Sequence, residues 1–345
     1  MLKLINIIKK FEKNNFTSFY KTGVDMRDMF TRKLLNEVYN QNKKILTKEI
    51  SNNLNFFFYY NSKIAREFLL NPSQMPKYVW EPQTTKLILK LSKNPKNVIF
   101  AGSFFGDQAV ICASKNKKTK VNCFEPNFKQ LKCLRLNKKH NDLSNLKINS
   151  DALYSRSNIA LELSTPKNYA NDYDDGELQV KKNYGINPKI NSIRLDDYIL
   201  KKRISYIDLL HMDVEGSELD ILYGAKKLIK KSKIKNIIFE LNSNYVNWNN
   251  GIKKIKLIKF LLSNKYKIYA IRDIHSSFDI NNIPIELLPL DKVFLEGPKH
   301  GFNMIATQSK NLNCKILNKK LSPKYLPYKK SEKFHTENLH NLYKR

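Results

Sequence analysis

The stretch Val98-Ile-Phe-Ala-Gly-Ser-Phe-Phe-Gly-Asp107 decides the fold. Val98 to Ala101 have strand character, Gly102 and Gly106 punctuate a turn, and Asp107 opens an apolar segment, Ala109 to Ala113, with helical character. Strand, glycine turn and helix form a cradle, because a residue without Cβ lets the backbone turn sharply and lets a flat ligand lie against it. Two glycines also serve as plain strand-to-helix punctuation, so the turn alone leaves ligand binding open.

A second short strand, Val121-Asn-Cys-Phe-Glu-Pro126, ends on a carboxylate roughly 20 residues past the turn, the placement that receives ribose hydroxyls. The alternation then continues. Helix Asn127 to His140 leads to strand Leu146 to Asn149 and to Asp151-Ala152, and short connections between strands and helices imply a parallel sheet covered on both faces. Ligands of such sheets bind beyond the carboxyl ends of the strands, where Gly102, Glu125 and Asp151 gather. Asp151 there is a candidate for the adenine edge or an exposed loop carboxylate.

The other informative stretch is Ile204-Ser-Tyr-Ile-Asp-Leu-Leu-His-Met-Asp-Val-Glu-Gly-Ser-Glu218. Tyr206 to Met212 is almost wholly apolar and reads as a central strand. Carboxylates at the end of a buried strand carry a desolvation cost, which points to function for Asp213; Glu215 and Glu218 read equally well as caps of the helix Glu218 to Lys230. Later strands are expected at Ile237 to Leu241, carrying Glu240, at Tyr266 to Ile271 and at Met304 to Thr307. The acidic cluster Asp172, Asp174, Asp175 and Glu177 reads as a solvated loop, and His275 and His300 lie in an excursion that suits a substrate wall.

At 345 residues the chain can bury a full core. Residues 1–92 are expected to form a helical extension, 93–308 the ligand-binding domain and 309–345 a basic, flexible tail, with Asn71 to Pro76 as linker and Trp80 as a core aromatic ahead of helix Thr85 to Ser92. Apolar Phe30, Leu34, Leu35, Val38 and Tyr39 recur at helical spacing, whereas Phe56 to Tyr60 reads as a mere aromatic cluster. No run approaches the roughly 18 apolar residues of a bilayer span, and no signal peptide is evident, which gives a cytoplasmic expectation. Cys112, Cys123, Cys133 and Cys314 lack paired metal-ligand spacing and read as reduced thiols, with no metal expected. The formal charge of +31 suits an anionic partner. Lysines spread along the whole chain, together with abundant Asn and Ile, fit a compositional bias better.

Together these residues resemble, in order, the FkbM family of S-adenosylmethionine-dependent methyltransferases: the Val98 to Asp107 stretch, Phe124-Glu-Pro-Asn127, Leu195-Asp-Asp197, Met212-Asp-Val-Glu-Gly-Ser-Glu-Leu219, Ile238-Phe-Glu240 and Asn303-Met-Ile-Ala306. The resemblance covers roughly residues 80–308. It implies a seven-stranded class I, Rossmann-like α/β sheet with a reversed final strand, S-adenosyl-L-methionine as cofactor, and O-methylation of a sugar, a glycan or a related small molecule. By position, Ala101, Gly102, Ser103, Phe104, Gly106 and Asp107 would hold the methionine part, Glu125 and Pro126 the ribose, Asp151 and Ala152 the adenine. Asp213 would face sulfonium and acceptor. Phe100 stands where many members carry an acid, and Asp107 is the candidate substitute.

A sugar hydroxyl is a poor nucleophile and gains from a base, for which Asp213 is the first candidate and His211 the second; as a core residue His211 has no such role. An anionic glycan is an acceptable acceptor. A nucleic acid is the less favoured partner, since neither an RNA-binding module nor a base-stacking platform is evident. A nicotinamide dinucleotide enzyme would want three glycines, and a non-catalytic nucleotide-binding protein is the remaining alternative.

Overall fold

The computed structural model describes residues 32–33, 35–37, 39, 45–50, 54–60, 62–70, 78–93, 96–164, 179–182, 190–273, 277–279, 284–295 and 301–324. The Asn71 to Pro76 linker, the Asp172 to Glu177 cluster, His275, His300 and the tail from residue 325 lie outside them.

Among the described residues the first strands form an antiparallel hairpin, β1 (Leu46–Ile50) and β2 (Leu54–Phe58). Helix Lys63–Leu70, strand β3 (Tyr78–Trp80) and helix Pro82–Leu91 follow. The alternating part then runs through β4 (Asn97–Ala101), helix Ala109–Lys115, β5 (Lys120–Phe124), helix Phe128–His140 and β6 (Leu146–Asn149). Four short strands, β7 (Ala152–Leu153), β8 (Ala160–Ser164), β9 (Gln179–Lys182) and β10 (Ile190–Ile193), make a small sheet of their own. After helix Leu195–Lys201 come β11 (Ile207–Met212), helices Glu218–Gly224 and Lys226–Lys230, and β12 (Ile234–Asn242). Helix Lys256–Ser263 and strands β13 (Lys267–Ile271), β14 (Ser277–Asp279), β15 (Glu286–Pro289), β16 (Gly301–Thr307) and β17 (Lys315–Ile316) complete the described chain.

The main sheet has the order β17-β15-β13-β16-β12-β11-β4-β5-β6. Strands β6, β5, β4, β11 and β12 are mutually parallel, and β16 runs antiparallel between β12 and β13. This is the expected seven-stranded Rossmann-like sheet with one reversed strand, lengthened by β15 and β17 at one edge. The chain winds outward from β4 through β5 to β6, then returns to β11 on β4's other side. That reversal makes the carboxyl ends of β4 and β11 the switch point, the natural ligand crevice of a doubly wound sheet.

All six residues of β11 are buried, as the apolar run requires of a strand covered on both faces. Successive residues feed opposite cores: Ile99, Ala101, Leu210 and Met212 join one, Val98, Phe100 and Leu209 the other. Each of these side chains larger than alanine contributes roughly 1.5–3 kcal/mol on burial.

Three readings of the sequence need correction. The region before residue 92 is not purely helical: Leu54, Phe56 and Phe58 are buried while Asn55 is exposed, the period-two pattern of a strand. The helix expected from Glu218 to Lys230 is divided at Ala225. Next to the break, Gly224 touches the Tyr154 carbonyl so closely that a Cβ would lie 2.1 Å from its oxygen. The segment after Gln308, expected to be flexible, stays on the fold as far as Lys324: β17 pairs with β15, and Lys315 bonds Glu286, which also pairs with Arg272 at 3.2 Å.

The hairpin docks through side-chain amides. Asn137 Oδ1 accepts from Phe57 N at 2.6 Å, and its Nδ2 donates to the carbonyls of Phe57 and Phe105. One helical turn on, Asn141 bonds both backbone groups of Asn55. Two amides at i and i+4 thus line up with residues two apart on β2. Among the described residues, no helix is long and apolar enough to cross a membrane.

Candidate functional site

The glycine turn is built as the sequence implies. Gly102 (φ 71°) and Gly106 (φ 93°) occupy left-handed conformations, as does Phe104 between them. The amides of Gly102 and Ser103 both donate to the Phe124 carbonyl, tying the turn to β5. Gly102 also crosses the end of β11 at minimal distance, since a Cβ there would lie 1.8 Å from the Asp213 carbonyl oxygen. Only glycine permits this crossing, and it brings Asp213 over the turn.

Glu125 is buried and accepts from Phe104 N at 2.7 Å and Asn127 N at 2.8 Å. Burial raises its pKa to about 7, against the pull of those two amides. Asp107 is likewise pushed to about 7, by burial and then by the charge of Asp213, while its own amide and that of Gln108 oppose the rise. Pro126 and Asn127 continue from Glu125 into the helix Phe128–His140, which Asn127 caps by accepting from Lys129 N. Asp151 follows β6 at the same edge, half-buried, and Ala152 is buried within β7.

Asp213 is raised to about 6 by burial. Glu240 reaches about 8 through burial and the charges of Asp213 and Glu218, and Glu215 rises well above its ordinary value by burial and the charge of Glu240. Carboxylate oxygens of Asp213, Glu215 and Glu240 lie within 4.8 Å of one another, close enough to share one cation. Two glycines make room for this group. A Cβ on Gly301 would fall 1.8 Å from Glu240 Oε1, and one on Gly216 would strike the Tyr245 ring, whose hydroxyl donates to Glu215. Glu218 instead folds back on its own loop, accepting weakly from the amides of Val214 and Gly216, each at 3.4 Å.

His211 sits apart from this edge. It is 3% exposed, its ring lies 5.2 Å from that of Phe100, and its Nδ1 has no hydrogen-bond partner. Burial lowers its pKa to about 3, so the imidazole is neutral, which favours a core histidine over a second base.

The sequence reading missed Glu81, Asn303 and Tyr245. Glu81, left-handed (φ 46°) just before Pro82, is buried and accepts from Asn303 Nδ2 at 2.7 Å and Gln108 Nε2 at 3.3 Å. Burial and the charges of Asp213, Asp273 and Glu240 hold its pKa well above the usual range. Its placement before the first helical proline gave one signal, which an N-cap explains equally well. Asp273 takes the capping role instead, accepting from Gln83 N and Thr84 N.

A doubly wound sheet with one reversed strand is the Rossmann-like methyltransferase architecture, and this chain sets an acidic edge at its switch point. Residues 101–268 match the model of the methyltransferase FkbM domain. No curated protein matches the sequence. Among solved structures the chain is similar to precorrin-6y C5,15-methyltransferase of Geobacter metallireducens, at 12% identity, covering 66% of this chain and 88% of that one, TM-score 0.35. It is also similar to an S-adenosylmethionine-dependent methyltransferase of Agrobacterium tumefaciens (8%, 77% and 70%, TM-score 0.38). An O-methyltransferase of Bacillus cereus, in complex with S-adenosylhomocysteine, is comparable (11%, 66% and 80%, TM-score 0.35).

Proposed function

We propose that the chain uses S-adenosyl-L-methionine to methylate a hydroxyl oxygen of a sugar, a glycan or a related small molecule. The observation that supports this reading is the crossing of Gly102 under Asp213, with Asp107 and Glu125 close enough to feel the Asp213 charge. The donor set suits the cofactor: a cationic ligand would relieve carboxylates that now crowd and repel one another.

Ala101 to Asp107 would hold the methionine part, Glu125 and Pro126 the ribose, Asp151 and Ala152 the adenine. When bound, the cofactor supplies an electrophilic methyl group on a sulfonium. Asp213, ionised above pH about 6, would accept the proton of the acceptor hydroxyl at a carboxylate oxygen. Glu240, raised to about 8, would keep its proton at neutral pH and donate to the acceptor. Tyr245 orients Glu215 through its hydroxyl. Alignment of acceptor oxygen and methyl carbon would supply much of the acceleration. A cytoplasmic location fits the free thiols Cys112, Cys123, Cys133 and Cys314.

Mass spectrometry of candidate glycans incubated with enzyme and cofactor tests the reading. A gain of one methylene that requires Asp213 is the expected result; cofactor binding by calorimetry without transfer to any hydroxyl would overturn it.

A further inference from the structure

The helix Phe128–His140 leaves the acidic edge and runs back across one face of the sheet, and its outward side carries a feature the methyl-transfer reading does not use. Phe128, Lys132, Arg135 and Lys139 recur at spacings of four, three and four, which places them on a single stripe. All four are exposed, Phe128 by 72%, next to the capping residue Asn127 and hence at the mouth of the crevice beside Glu125. The helix contains no acid. Among the described residues none of Lys132, Arg135, Lys138 and Lys139 takes part in a salt bridge. The stripe ends in a shallow pocket of about 460 Å³ lined by Arg135, Lys138, Lys139, Asp142, Leu143 and Ser144.

Part of this has a local explanation, since cations in a last turn offset the helix dipole. That explanation covers Lys138 and Lys139 only. It does not reach Lys132, in the middle of the helix, nor an aromatic side chain left in water at the first turn.

We infer that this stripe is a binding track for a single-stranded nucleic acid, with a base stacked on Phe128 at the crevice and successive phosphates on Lys132, Arg135 and Lys139. Three or four helical residues rise about 4.5–6 Å. A strand presents a phosphate every 3.4 Å or so when stacked, and at wider steps when stretched, so consecutive phosphates can meet consecutive cations. A hyaluronan-type glycan carries its charge only on every second sugar, a wider pitch than the spacing of these cations, and its pyranose faces meet an aromatic ring through C–H contacts, not by ring-on-ring stacking. Aromatic stacking combined with a basic track is the usual physics of single-strand binding. The inference does not depend on which hydroxyl is methylated. A ribose hydroxyl is itself a sugar hydroxyl, which keeps the two readings compatible.

The test is fluorescence anisotropy of a labelled oligouridylate, long enough to span the helix, with the full-length chain and no methyl donor. Binding is then read apart from catalysis, and its failure leaves the methyltransferase reading untouched. Removing the three charges (Lys132→Gln, Arg135→Gln, Lys139→Gln) should lower the slope of log affinity against log salt by about 2, at roughly 0.7 per lost contact. Phe128→Ala should weaken binding about 10-fold, within the range for one stacked base. A control triple on the opposite face of the sheet (Lys226→Gln, Lys230→Gln, Lys259→Gln) removes equal charge and should leave both quantities near the parent's. Equal losses in the two triples would reduce the effect to net charge and overturn the track. So would a heparin or hyaluronan fragment that binds as tightly as the oligouridylate and with the same dependence on Phe128.

Discussion

Gly102 and Asp213 meet backbone to backbone, so closely that a Cβ on Gly102 would sit 1.8 Å from the Asp213 carbonyl oxygen. The contact joins the two strands between which the chain order reverses. Gly102→Ala should therefore part them, with strain added by φ 71°, at a cost of about 3 kcal/mol or more. Thermal unfolding and cofactor calorimetry should both register it; parent-like values in both would deny the crossing its role.

Asp213→Asn keeps size and shape but removes a charge that raises Asp107, Glu125, Glu218 and Glu240. Methyl transfer should fall at least about 100-fold, the scale of a lost general base. The ligand-free protein should become more stable, since repulsion is relieved. Activity and melting temperature moving together in one direction would contradict this division of roles.

Stability of the ligand-free protein should decline as pH rises. The folded values of about 6 for Asp213, about 7 for Asp107, Glu125 and Glu218, and about 8 for Glu240 all lie above the unfolded values of about 4. The folded chain then binds more protons than the unfolded one across that window, which makes the slope of stability against pH negative. The contribution is fully present below about pH 4 and is lost as pH rises through about 6, 7 and 8 in turn. Melting curves between about pH 5 and pH 8 should show a falling midpoint, and a rising one would refute the acidic-edge account. Turnover should move the other way, climbing through about pH 6 as Asp213 ionises.

Asn137 offers a purely structural test. Asn137→Leu strands the amide and carbonyl of Phe57 and the carbonyl of Phe105, all bonded by the parent side chain. The expected cost is about 2–3 kcal/mol. Asn141→Ala, whose bonds to Asn55 are exposed, should cost only about 0.5 kcal/mol. Chemical denaturation of the two variants should separate them by that margin; equal stabilities would mean that the hairpin is held by packing alone.

The parallel half of the sheet was legible because each strand is a mostly apolar run that stops at a glycine or a carboxylate: Ala101 before Gly102, Phe124 before Glu125, Met212 before Asp213. The hairpin was not, because the run Phe56 to Tyr60 conceals its alternation: Phe57, facing Asn137 and His140, is as aromatic as its buried neighbours. Glu81 escaped for another reason. Its partners Asn303, Asp273 and Glu240 stand far along the chain, and nothing local marks a carboxylate that tertiary packing alone brings to the edge.

The amides of Asn137 and Asn141 have one more effect. Strand β2 pairs with β1 on one side only, and its other edge would present unpaired backbone beside three consecutive phenylalanines, the composition of an aggregating segment. The two asparagine side chains occupy that edge as a neighbouring strand would. A helix thereby ends a sheet, and an adhesive strand is kept from recruiting its counterpart in a second molecule.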